Sequence, residues 1–141
     1  MTYFKWSSHL ELGDPQIDAQ HKQLLLLGEA VVEALLDSAN HDSGLARLQA
    51  MIDCAQKHFE FEEGLMRSVA YPESERHAKY HASLLAELRI FHRRMQLGRR
   101  TSSEALIGFI WDWLTLHIDS PDRELVTWLG RGDPDRAGET N

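Results

Sequence analysis

Residues 17–36 read IDAQHKQLLLLGEAVVEALL. Ile17, His21, Leu24, Leu25, Gly28, Val31 and Leu35 recur every three or four positions. That spacing gathers side chains on one face of an α-helix, which turns about 100° per residue. The spacing predicts a helix over 16–38, stopping in the polar stretch DSANHDSG. One member of its inward stripe is a histidine, an expensive group to bury without a partner.

Three more segments carry the same period. A helix over 43–69 aligns Leu48, Met51, Cys54 or Ala55, His58, Glu62 and Leu65, and stops before Tyr71-Pro72, where proline disfavours helix continuation. A third begins near Ser74, turns His77, His81, Leu84, Leu85, Leu88, Phe91 and Met95 inward, and ends at the glycine Gly98. Thr101-Ser102-Ser103-Glu104 has the pattern of a capping box, hydroxyl first and carboxylate three residues on, opening a fourth helix with Leu106, Ile110, Trp113, Leu114 and His117 in its stripe. Pro121 ends it, and a short fifth helix over 121–129, capped by Ser120, follows. No segment alternates apolar and polar residues as a half-buried strand does. The fold class is therefore all-α, an up-down-up-down antiparallel four-helix bundle with an N-terminal arm and a short C-terminal helix. At 141 residues the chain makes one domain over 1–129; 130–141, GRGDPDRAGETN, reads as a polar tail or the start of a linker.

Composition narrows the function. A net charge of −7 repels phosphate backbones, so nucleic acid is not an expected partner. No apolar run reaches the roughly 20 residues that span a bilayer, and the N-terminus lacks the basic start and apolar middle of a signal peptide. The expectation is a cytoplasmic protein with no membrane partner. The single cysteine, Cys54, allows no internal disulfide and no CxxC pair.

Side chains four apart on a helix project together, as His58 and Glu62 do on the second helix and His77 and His81 on the third. With His21 and His117, every long helix aims at least one ligand-type group at the bundle axis. Asp122 lies five residues beyond His117, which turns it about 140° away on an unbroken α-helix. Pro121, by ending one helix and opening another, is expected to swing it back. Taken singly, each group has an ordinary reading, as a hydrogen-bonded core histidine or a solvated HxxxE pair. Independent pairs, however, have no reason to share the stripe of every helix. Five imidazoles and two carboxylates are too many for one zinc; they suit two bridged ions of iron, copper or zinc rather than magnesium or calcium. His9, His41 and His92 lie in the terminal segment, a loop or off this line, and Trp111 and Trp128 read as packing.

The motifs FKW, IDAQHKQL, HFEFEEGLM, YPESERHAKYH and WLTLHIDSPD, in this order and spacing, resemble the bacterial branch of the hemerythrins over residues 4–129. The resemblance implies a non-haem di-iron cofactor, two iron ions joined by an oxo or hydroxo bridge. It implies His77, His81 and His117 on one iron, His21 and His58 on the other, and Glu62 and Asp122 bridging both. It places Leu24, Phe59, Trp113, Leu114 and Ile118 around an apolar O2 pocket. Asp14-Pro15 and Leu125 depart from the family pattern, Leu125 standing where many relatives carry tyrosine. The implied function is reversible O2 binding as a carrier, store or sensor domain. Two alternatives accompany it: an O2- or redox-sensing input module for an attached or partner signalling domain, which the polar tail suggests, and a di-iron peroxidase or nitric oxide reductase. The motifs offer no dedicated proton donor, nucleophile or substrate pocket, so the expectation is a binding protein and not an enzyme.

Overall fold

The computed structural model describes residues 3–37 and 41–131. Helix α1 spans Pro15–Leu35, α2 His41–Ser68, α3 Ser74–Gln96 and α4 Ser103–His117. A π-helical turn, Ile118–Asp122, leads from α4 into α5, Arg123–Arg131. Among the described residues there is no strand, and no helix is long and apolar enough to cross a membrane. The expected tail lies outside the described residues beyond Arg131, and Gly130 and Arg131 still belong to α5.

The helix ends follow from local chemistry. The Asp14 side chain accepts from the N–H groups of Gln16 and Ile17, both at 3.0 Å, with Pro15 at the first helical position, where no N–H is needed. Gly98 has φ +80°, as its expected role requires: its N–H reaches Met95 O and the Arg99 N–H reaches Arg94 O, both at 3.0 Å, closing α3. The end of α2 has the same form, but the left-handed residue there is Ala70, at φ +52°. The Tyr71 N–H returns to Met66 O at 2.9 Å, and the two side chains share an apolar cluster. The capping box at 101–104 is corrected by one residue. Ser102, in extended conformation, is the cap, and its hydroxyl accepts from the Ala105 N–H at 3.1 Å, which leaves Glu104 without the reciprocal role.

Helix α1 packs on α2 and α4, and α2 on α3. The α3–α4 seam is closed by stacked Phe91 and Phe109, 4.8 Å apart, and by the Trp113 indole N–H donating to Leu84 O at 2.9 Å. Where α4 crosses α1, a Cβ on Gly28 would lie 3.0 Å from Ile110 Cγ2 and 3.2 Å from Leu114 Cδ1, so the absence of a side chain sets the approach. On α2 it is Ala55 rather than Cys54, and Met66 rather than Leu65, that is buried. The N-terminal arm is tied to α1 through carboxylates: Glu29 accepts from the Tyr3 and Phe4 N–H groups, and Asp18 from those of Leu12 and Gly13 at 2.9 and 3.0 Å. Trp111 stacks on Phe4, and Trp128 lies edge-on to Tyr71, both as packing groups.

A Cβ at position 98 would meet nothing within 4 Å, so the cost of Gly98→Ala is conformational alone. It is expected to destabilise the fold by about 1 kcal/mol. Ala70→Gly is expected to act in the opposite direction by up to about 1 kcal/mol. Denaturant unfolding measures both, and equal signs would refute the shared cause.

Candidate metal centre

All seven predicted ligands meet in the core, none more than 3% exposed. Helix α1 supplies His21, α2 His58 and Glu62, α3 His77 and His81, α4 His117, and the π-turn Asp122. The expected break at Pro121 is corrected: the residues flanking the turn, His117 and Arg123, both keep right-handed helical backbone angles, and Ser120 caps nothing. A proline inside a helix has no N–H to give, and its ring strikes the carbonyl four residues back. The turn widens to accommodate it. In the wider turn, a residue five positions on takes the angular place that four positions on holds in an α-helix, which brings Asp122 to the side of His117.

Two groups of donor atoms result, each with its members within 4.8 Å of one another: His21, His58, His117 and Asp122, and Glu62, His77, His81 and Asp122. Asp122 belongs to both. The resemblance pairs His117 with His77 and His81, whereas the distances group it with His21 and His58. The Nδ1–H of His117 donates to Trp113 O at 2.9 Å, which holds its ring edge-on to His21, 5.4 Å between centroids.

The outer hydrogen bonds fix where the ring protons lie. His81 Nδ1 faces Glu63 Oε2 at 2.9 Å and His58 Nδ1 faces Gln20 Oε1 at 2.6 Å. With Trp113 O, these are acceptors, so each Nδ1 carries the proton and each neutral ring turns an Nε2 lone pair inward. Inward, those lone pairs meet carboxylates: His81 Nε2 lies 3.0 Å from Glu62 Oε1, His58 Nε2 3.3 Å from Glu62 Oε2, and His117 Nε2 3.8 Å from Asp122 Oδ2. His58 Nε2, His117 Nε2 and Glu62 Oε2 are buried without a hydrogen-bond partner. Wherever these oxygens are ionised, lone pair faces lone pair in a dry core, which is unfavourable, and a cation between them removes the conflict.

Electrostatics agree. Burial holds the His81 and His117 imidazoles near a pKa of about 3, against partial compensation by Asp122, so both rings stay neutral. Burial likewise lowers His58. For His77, burial alone would lower the pKa, but the hydrogen bonds to Asp122 and Glu62 outweigh it and raise it to about 9. Glu62 is pushed well above the carboxylate range by burial and then by the charge of Asp122. Asp122 falls well below that range, because its hydrogen bonds with His21, His58 and His77 overcome burial. Metal uptake would displace the protons held on His77 and Glu62 and leave neutral imidazoles and carboxylates, the donor set that a pair of transition-metal ions takes.

The five apolar residues expected around the site are all in the adjoining core. Phe59 stacks on His81 at 4.0 Å and stands edge-on to His117 at 5.9 Å; Trp113 lies 5.2 Å from His117. Leu24, Leu114 and Ile118 are no more than 2% exposed. Leu125 points elsewhere, into the cluster with Met66 and Tyr71. Of the remaining histidines, His9 pairs with Asp119 at the surface, and His41 opens α2 rather than lying in a loop. The sequence reading missed Gln20 and Glu63. Both adjoin ligands in sequence, but each acts on a histidine of another helix, which only the packing reveals.

The family model described as the hemerythrin HHE cation binding domain matches residues 12–129. The chain belongs to the hemerythrin family. It is 30% identical to the bacteriohemerythrin of Ralstonia nicotianae over 139 residues, 99% of this chain and 98% of that protein. It is 28% identical over 120 residues to the myohemerythrin of Sipunculus nudus, 84% of this chain and 88% of that protein. The crystal structure of wild-type hemerythrin superimposes with a TM-score of 0.76 at 22% identity, covering 85% of this chain and 92% of that one, a likeness of fold.

Hemerythrin-family membership and two His/Glu/Asp groups make metal uptake measurable through stability. Ferrous ion added anaerobically at a hundred times its dissociation constant is expected to stabilise the protein by about 2.7 kcal/mol. Differential scanning fluorimetry is expected to show the gain, its reversal by a chelator and its loss in His117→Ala. A melting temperature indifferent to metal would contradict the site.

Proposed function

We propose that this hemerythrin-family domain, residues 1–129, binds O2 reversibly at a di-iron centre held by His21, His58, Glu62, His77, His81, His117 and Asp122. The observation that carries the reading is the set of inward Nε2 lone pairs facing two buried carboxylates, a donor arrangement that calls for cations. Two ferrous ions bound there would supply the two electrons on which O2 binding draws. The chain's own contribution is orientation and exclusion. Gln20, Glu63 and Trp113 O hold three imidazoles by their outer nitrogens so that the inner ones converge. Asp122, which belongs to both donor groups, would help to hold both ions. Leu24, Phe59, Trp113, Leu114 and Ile118 keep water from the space beside the rings, as an apolar ligand requires. Five imidazoles, neutral once they bind metal, to two carboxylates make a nitrogen-rich shell that favours binding over oxidation of a substrate.

Purified, iron-loaded protein is expected to contain two irons per chain by elemental analysis. Adding O2 to the anaerobically reduced sample is expected to produce a visible absorption band that disappears on deoxygenation and is missing from His117→Ala. Two irons per chain with no O2-dependent band would end this reading.

A further inference from the structure

The outer ring nitrogens distinguish the two donor groups chemically. In the group containing His81, the Nδ1–H donates to a carboxylate, Glu63 Oε2, at 2.9 Å. In the group containing His58 and His117, the Nδ1–H protons go to uncharged oxygens, Gln20 Oε1 at 2.6 Å and Trp113 O at 2.9 Å. All three bonds orient a ring equally well, but they differ in charge. An imidazole donating to a carboxylate carries more electron density and is the more basic ligand, whereas an amide oxygen transfers much less. Both side-chain partners also bridge helices, Gln20 reaching from α1 to a histidine of α2 and Glu63 from α2 to a histidine of α3. Their chemistry is thus set apart from the rest of the packing: neither belongs to the apolar core, and the Glu63 side chain is 31% exposed.

We propose that Glu63 and Gln20 are positioning residues of opposite electronic effect, so that the metal position served by His81 holds an oxidised ion more tightly than the position served by His58. The proposal rests on the di-iron reading above. It separates from a purely structural role by sign. If the two residues only brace their rings, any substitution loosens the site, and Glu63→Gln and Gln20→Glu move every property in one direction. If charge is the cause, the two near-isosteric exchanges act oppositely. Removing the carboxylate at 63 leaves His81 a poorer donor, and introducing one at 20 makes His58 a better donor.

The experiment is a mediated redox titration of the iron-loaded protein and of both variants, together with zinc(II) affinity by chelator competition. Circular dichroism establishes that all three are folded alike. Glu63→Gln is expected to raise the midpoint potential of the iron and to weaken zinc binding by about 10- to 100-fold. Gln20→Glu is expected to lower the potential and to strengthen zinc binding. Shifts of the same sign, or unchanged potentials in fully iron-loaded variants, would overturn the proposal while leaving the di-iron reading intact. Failure of the unsubstituted protein to take up iron or zinc would overturn both together.

Discussion

Protons are scarce at the centre of this bundle, and the arrangement around it follows from that scarcity. Seven polar side chains sit out of reach of water. The rings of His58, His81 and His117 already have their single proton engaged outward, by Gln20, Glu63 and Trp113 O. What faces inward is electron pairs, on nitrogen and on the oxygens of Asp122, beside a Glu62 that burial and the charge of Asp122 push toward its protonated form. Such a core is stable only when positive charge enters it. Here His77, its pKa raised to about 9 by its hydrogen bonds to Asp122 and Glu62, supplies one such charge in the absence of metal, and a pair of metal ions would supply several in its place.

The rest of the fold serves to keep this assembly in place and dry. Each long helix carries one or two ligands in a stripe that is otherwise apolar, so the hydrophobic energy that assembles the bundle also fixes the register of the donors. Gly28 lets α4 approach α1 closely enough for His117 to meet His21 edge-on. Trp113 does three things at once: its indole N–H ties α4 to α3, its carbonyl orients His117, and its ring walls the site.

Much of this was legible in the sequence because it is periodic. The positions of His58 with Glu62, and of His77 with His81, follow from the geometry of one helix, and so does the stripe containing His21. Gly98 was readable for a similar reason, since only a left-handed residue closes a helix in that way. What escaped the reading depends on relations between elements or on finer backbone angles. Gln20 and Glu63 act across helix interfaces, 38 and 18 residues from their histidines. The cap at Ser102 rather than Thr101 turns on which residue is extended. Proline usually terminates a helix, and nothing in the sequence marks Pro121 as an exception; the helix absorbs it by adding a residue to one turn.

That added residue has a consequence beyond Asp122. The phase of the helix after the turn is inherited from the carboxylate and no longer from the stripe of α4. Leu125 and Leu129, three and seven residues past Asp122, follow it around the axis and close over Met66 and Tyr71. One uninterrupted rod from Ser103 to Arg131 thereby serves two separate apolar clusters, and the bookmark between them is a single surplus amino acid.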